Sequence, residues 1–258
     1  MADKPPLREV GQSETRCENC SLFSLCFAQE ISAEERENLD RVLRRQQPAE
    51  RGEHLFHGGQ SLKSVTVVRS GSIKGYQLSQ DGDEIVSGFY LPGEVIGLDG
   101  LSSEIHPGFA VALEDSRTCE IPLHDFVTML NKSPKLNQVM LRLLSEEMAE
   151  TRELLLVVGR LDARTRVALF LLSMSRRLAR RKQNPDQFRL TMDRRDIANY
   201  LGLTIETVSR TLSAMQRDGL IEVQGKLVTI SDREGLQEQA MAVAHPEQPQ
   251  SKSARSGT

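Results

Sequence analysis

Cysteine occurs four times in this 258-residue chain, and three of the four crowd into one short stretch: Cys17, Cys20 and Cys26, spaced C-x2-C-x5-C. The fourth, Cys119, stands alone 93 residues further on. A thiolate binds soft metals and iron–sulfur clusters. A tight group with one distant partner suits a metal centre clamped between an N-terminal arm and a folded domain. The spacing leaves an iron–sulfur cluster and a four-thiolate zinc site both open. Zinc sites usually use two C-x2-C-like pairs, so the lone Cys119 favours iron–sulfur. An inert, buried Cys119 is the blander alternative. His54 and His57 form a second ligand-like spacing, but they sit beside Gly58-Gly59 at an expected strand end and read as structural.

A second kind of chemistry lies near the C-terminus. Asp193-Arg-Arg-Asp-Ile-Ala-Asn-Tyr-Leu-Gly-Leu-Thr-Ile-Glu-Thr-Val-Ser-Arg-Thr-Leu has the form of a helix-turn-helix. Ile197, Ala198 and Leu201 share one face of the first helix, and small Ala198 permits close approach. Gly202 allows the sharp turn, and the Thr204 hydroxyl can cap the second helix. Val208, Leu212 and Met215 turn inward on that helix. Glu206, Ser209 and Arg210 then share its outer face, near the N-terminus, where major-groove readers touch bases. Arginine offers two donors matching guanine O6 and N7, and glutamate can accept from the cytosine amino group. A plain Glu206–Arg210 pair within the helix is the alternative.

The elements that must position these residues follow from pattern. Residues 1–16 read as disordered, and Ser32–Arg45 as a short helix capped by Ser32. From Pro48 to about Leu123, glycine turns separate strand-like runs at Ser64–Arg69, Ile73–Leu78, Ile85–Leu91 and Phe109–Ile121. That punctuation indicates an antiparallel sandwich or barrel. After Pro134, Leu141, Leu144, Met148, Thr151, Leu155 and Val158 recur at alternating spacings of three and four, a heptad seam on one long helix. So narrow a seam favours a symmetric dimer, and Glu147 and Arg152 could pair across two parallel helices. Glu146, Glu147, Glu150 and Glu153 gather at its middle, and Thr151 stands where Leu would be stronger, so the expected dimer is marginal. A helix over Asp162–Arg180 follows, then the helix-turn-helix and a hairpin over Leu220–Ile230. From Leu236 onward the chain reads as a disordered tail.

Charge supports a polyanion partner. Residues 160–230 hold 14 Lys and Arg against 7 Asp and Glu, whereas the whole chain carries −3. One basic module in an otherwise acidic protein suits DNA. No run approaches the roughly 20 apolar residues of a membrane span. Met1–Thr15 lacks an apolar signal core, so a cytoplasmic protein without a membrane partner is expected. Disulfides are rare there, which again points the cysteines toward metal chemistry.

With these residues in view, the chain resembles the FNR branch of the CRP/FNR transcription regulators over nearly all of residues 17–230. The resemblance rests on the cysteine arm, Arg69-Ser-Gly-Ser-Ile-Lys, Gly82-Asp-Glu, Cys119-Glu-Ile-Pro, Phe188-Arg-Leu-Thr-Met and Asn199-Tyr-Leu-Gly-Leu-Thr-Ile-Glu-Thr-Val-Ser-Arg. It implies an α+β chain with a cyclic-nucleotide-binding-like β-roll, a long dimerisation helix and a winged helix-turn-helix. The expected division is an arm over 1–30, a β-roll over 31–133, a dimerisation helix over 134–160, a DNA-binding domain over 161–235 and a tail over 236–258. It further implies an oxygen-labile 4Fe–4S cluster on Cys17, Cys20, Cys26 and Cys119, with oxygen weakening the dimer. Glu206, Ser209 and Arg210 would read each half of a TTGAT-N4-ATCAA type site on double-stranded DNA. Surface loops, one near Asp81–Glu84, would touch RNA polymerase.

Rival functions fit less well. Cyclic-AMP binders of this superfamily use Gly-Glu followed by Arg-Ser. Here Gly93-Glu94 begins that pattern, but Ser102-Ser-Glu-Ile-His-Pro-Gly-Phe offers no arginine for the phosphate, so no cyclic nucleotide is expected. A zinc-stabilised regulator stays open on spacing alone. An iron–sulfur redox protein would need a nucleotide loop or a second cluster motif, and neither is present. No catalytic residues are assigned, and the chain is not expected to be an enzyme.

Overall fold

The computed structural model describes residues 16–45 and 48–241. The expected disorder over 1–16 falls almost wholly outside them. The first elements are a helix α1 over Ala33–Val42 and a short strand β1 over Arg44–Arg45. Ser32 caps α1 in a reciprocal box with Glu35, and the helix stops at Val42, short of the expected Arg45.

Seven strands follow: β2 His54–Phe56, β3 Ser64–Ser70, β4 Ile73–Leu78, β5 Glu84–Tyr90, β6 Val95–Ile96, β7 Phe109–Ala112 and β8 Arg117–Pro122. They form two four-stranded antiparallel sheets, ordered β1-β8-β3-β6 and β2-β7-β4-β5. The single strand expected over Phe109–Ile121 is therefore two strands in different sheets. The chain crosses between them at Leu113–Ser116, where Ser116 is fully buried. Gly71 makes the β3–β4 turn possible. Its φ is +79°, and a Cβ there would lie 2.2 Å from the Ser116 hydroxyl. Val68, Ile73, Ile96, Ala110 and Ala112 fill the space between the sheets.

Helix α2 over Leu123–Lys132 leads into α3 over Pro134–Arg160, which covers the expected dimerisation span. The N-terminal half of α3 is held down by Leu136, Val139 and Met140. These pack with Phe27, Ala28 and Ile31 of the arm and with Val65 and Ile121 of the roll.

The C-terminal domain contains α4 Ala163–Arg180, β9 Gln187–Arg189, α5 Arg194–Leu201, α6 Ile205–Arg217, β10 Ile221–Gln224, β11 Leu227–Ile230 and α7 Arg233–Met241. Asp162 caps α4, Asp193 and Asp196 form a capping box on α5, and Thr204 caps α6. Gly202 ends α5 in the left-handed region at φ +60°, giving the sharp turn into α6. The wing is a three-stranded sheet ordered β10-β11-β9. Helix α7 corrects the reading of a tail from Leu236. Glu, Gln, Ala and Met in that stretch are good helix formers, and Leu236 is fully buried. The remainder of that tail lies outside the described residues.

The two domains share a core. Val86 and Phe89 of β5 belong to the same buried cluster as Phe170 of α4 and Ile197, Leu201, Val208, Leu212 and Met215 of the helix-turn-helix. Among the described residues, no helix is long and apolar enough to cross a membrane.

Candidate functional site

Cys17, Cys20, Cys26 and Cys119 line one apolar cavity, walled by Leu22, Phe23, Phe27, Leu39, Val67 and Ile121. Short 3-10 turns over Cys17–Asn19 and Phe27–Gln29 carry the arm past it. Cys119 comes from the middle of β8, opposite Val67 on β3 and Arg45 on β1, so its backbone is rigid where the arm's is irregular. All four thiols are free and partly buried. Asp40 of α1 pins the first of them, accepting the Cys17 N–H at 3.0 and 3.3 Å.

Burial raises the Cys17 thiol well above its ordinary value, helped by the hydrogen bond to and charge of Asp40 and by the neighbouring thiols. Burial likewise pushes Cys26 up to about 11, against a lowering hydrogen bond from Ala28. The four are thus electrostatically in touch. The donor set fits a thiolate-bound group, since it is four soft ligands in a largely apolar wall. No group of three or more His, Cys, Asp or Glu among the described residues is drawn together tightly enough to mark a metal ion's site.

The His54 and His57 rings stack at 4.6 Å, and His54 Nε2 lies 2.9 Å from the Tyr76 hydroxyl. Both contacts suit the structural reading.

On α6, Glu206, Ser209 and Arg210 are all exposed on one face, while Val208, Leu212 and Met215 are buried beneath. Burying those three contributes about 1.5–3 kcal/mol each. The Glu206 carboxyl is held below the usual range, chiefly by its own backbone N–H and by Thr204, with a smaller pull from Arg210. No ion pair between Glu206 and Arg210 appears among the described residues, and both side chains are exposed to solvent.

Along α3, Leu141 is 66% exposed and Met148 57%, and Thr151 is exposed too. Leu144 is half-buried against the core beneath the arm. The side chains of Leu155 and Val158 lie outside what the structure describes. Thr151 spends its hydroxyl on the Glu147 carbonyl at 2.9 Å.

Sequence reasoning missed a set of polar residues joining the domains. Glu94, read only as the start of a nucleotide motif, accepts from Arg177 Nε at 3.0 Å, from Arg181 at 2.7 Å and from the Leu91 N–H at 2.9 Å. Burial alone would raise its carboxyl, but the two guanidinium groups hold it below the usual range. Lys74 pairs with Glu84 at 2.8 Å and Asp196 at 2.9 Å. Burial would lower its ammonium, and these two carboxylates reverse that and raise it. The arm is joined to α3 by Glu30, which accepts from Arg142 Nη1 at 2.8 Å. No local sequence signal marks Glu94 with Arg177, Lys74 with Asp196 or Glu30 with Arg142, because these partners lie 83, 122 and 112 residues apart.

Residues 46–133 match the cyclic nucleotide-binding domain family, and residues 165–239 match the Crp-like helix-turn-helix domain family. The chain is 41% identical over 238 residues to the fumarate and nitrate reduction regulatory protein of Escherichia coli K12, covering 92% of this chain and 95% of that one. It is 41% identical over 228 residues to the anaerobic regulatory protein of Haemophilus influenzae, covering 88% and 89%. Among solved structures, FixK2 from Bradyrhizobium japonicum aligns with a TM-score of 0.71 at 29% identity, covering 77% of this chain and 97% of that one.

Proposed function

The chain belongs to the Crp/FNR family of transcription regulators, and we propose that it couples an oxygen-labile 4Fe–4S cluster on Cys17, Cys20, Cys26 and Cys119 to dimerisation and DNA reading. It is an oxygen-responsive regulator of anaerobic gene expression, and regulators of this family bind DNA as dimers. The observation that carries the cluster reading is the single apolar cavity lined by all four thiols. When bound, the cluster supplies an oxygen-sensitive centre whose behaviour is tuned by burial and nearby donors.

The chain's own residues do the rest. Leu22, Phe23 and Phe27 keep water from the thiols. Phe27, Ala28 and Ile31 carry the arm's position to Leu136, Val139 and Met140 of α3, and Glu30 with Arg142 adds a polar tie. The exposed Leu141, Met148 and Thr151 then continue, with Leu144, Leu155 and Val158, as the dimer seam. A shift of a few kcal/mol in so marginal a dimer is enough to carry a signal.

In each half of a TTGAT-N4-ATCAA type palindrome, Arg210 takes a guanine, Glu206 a cytosine amino group, and Ser209 an adjacent base edge. The loop at Asp81–Glu84 faces RNA polymerase. Cyclic nucleotide is not a ligand, since the Glu94 carboxylate already accepts from Arg177, Arg181 and Leu91. The functional division follows: arm 1–30, β-roll 31–133, dimer helix 134–160, and a DNA-binding domain that extends through α7.

Anaerobic purification with iron and sulfide analysis, followed by air titration of binding to the palindrome, tests this reading. Four iron and four sulfide per chain, with DNA binding lost as the cluster bleaches, is the expected result. Zinc in place of iron, or binding indifferent to air, overturns it.

A further inference from the structure

The link between α3 and α4 is only Leu161-Asp162, so the covalent chain alone leaves the winged domain free to pivot. Three separate sets of contacts remove that freedom. At the C-terminal end of α4, Glu94 accepts from Arg177 and Arg181, and Arg181 Nε donates to the Pro92 carbonyl at 2.8 Å. At the start of α5, Lys74 reaches Asp196 at 2.9 Å, and Ser72 donates to the Thr191 hydroxyl at 2.8 Å. At the end of α5, Asn199 pairs like a strand residue with the β5 edge. Its Oδ1 accepts the Val86 N–H at 2.7 Å, and its Nδ2 donates to the Glu84 carbonyl at 2.6 Å. Phe89 packs between them, with ring centroids 5.2 Å from Tyr200 and 6.2 Å from Phe170. One contact leaves a hinge, whereas three at separated points fix both distance and rotation.

We infer that this interdomain clamp, made by Glu94 with Arg177 and Arg181, Lys74 with Asp196, and Asn199 with the β5 backbone at Val86 and Glu84, sets the half-site spacing the protein accepts on DNA. The inference rests on the reading of the chain as a dimer on a palindrome. Once α3 fixes how two rolls meet, the clamp fixes where each α6 points. Adding one base pair to the spacer moves a half-site by about 3.4 Å and rotates it by about 35°. A rigidly held pair of α6 helices cannot follow both changes, and a pivoting pair can. The specificity for spacer length therefore resides in residues that touch no base.

The test compares the anaerobically prepared full chain with its Asn199→Ala and Glu94→Gln variants. Each is titrated against duplexes with identical half-sites and spacers of three, four, five and six base pairs. Thermal melting and iron content check that each variant folds and loads. Wild type should prefer one spacer over its neighbours by at least about tenfold. Both variants should narrow that preference to within about threefold while keeping the same half-site base preferences. Unchanged spacer preference in the folded variants overturns the inference alone. So does stronger or weaker binding by one common factor on every spacer, which marks the contacts as a plain lock or a packing feature. Failure of wild type to bind any of the duplexes overturns this inference together with the reading it rests on.

Discussion

The Cys17 N–H donates to both carboxylate oxygens of Asp40, so helix α1 holds the first thiol of the arm at the mouth of the apolar cavity. This bond fixes the backbone that carries the sulfur, while the same carboxylate also bears on the thiol and helps raise it. Asp40→Ala removes a charged acceptor and should loosen the arm by about 1.5–3 kcal/mol. The expected readout is faster proteolysis between Cys17 and Cys26 in the folded protein, with lower iron retention. Arm cleavage at the wild-type rate would contradict it.

Cys119→Ser should abolish cluster assembly under anaerobic conditions and leave the β-roll intact. Cys119 is partly buried in the middle of a paired strand, and serine fits that backbone without strain. Visible absorbance and iron content check the first part, and circular dichroism the second. Full iron loading would strike Cys119 from the ligand set.

Arg210→Ala should weaken specific binding by roughly 1–3 kcal/mol and relax the preference at one guanine. Competition between operators differing at that base measures it. An equal loss on all sequences would reassign Arg210 to a phosphate.

Thr151→Leu should tighten the dimer in the absence of the cluster, by roughly 1–2 kcal/mol from added apolar burial. The lost Thr151–Glu147 hydrogen bond is solvent-exposed and offsets little of this. Sedimentation under air provides the check, and an unchanged dissociation constant would remove Thr151 from the seam.

Acid should destabilise the β-roll through His106. It is 5% exposed, its ring stacks on Phe56 at 3.6 Å, and its Nδ1 has no hydrogen-bond partner among the described residues. Burial lowers its pKa, with Asp99 opposing. Below the usual imidazole value of about 6.5 the unfolded chain binds a proton that the folded chain resists, so stability falls as pH drops from there towards the folded value. Urea midpoints at pH 7.5 and 5.5 should differ less in His106→Phe than in wild type. Equal differences would show that other groups carry the acid sensitivity.

What the sequence made legible was local. Gly202 and Thr204 announce a sharp turn and a cap on the second helix, and both do so in the structure, whereas the capping box of Asp193 and Asp196 on the first helix went unread. The long helix was equally plain, because Pro134 starts it and no glycine interrupts it until Gly159. Helix α2 was missed because its cap position is Pro122, which offers no side-chain signal. The split of Phe109–Ile121 was missed because both pieces alternate like one strand, and only the buried Ser116 corner separates them. For the site, the thiol spacing and the α6 face were readable as patterns. The clamp was not, since Glu94 and Asn199 meet partners 83 to 115 residues away and no periodicity encodes such a meeting.

The Asn199 amide has one more consequence. Strand β5 is the edge of its sheet, and the amide satisfies a donor and an acceptor that would otherwise invite a foreign strand. With Ile85 more than half exposed on the same strand, a winged domain that swings away uncovers a sticky border as well as freeing α6. Solubility and domain posture are thereby tied to one side chain, and a chain selected to stay dispersed is also selected to keep its DNA-reading helices in place.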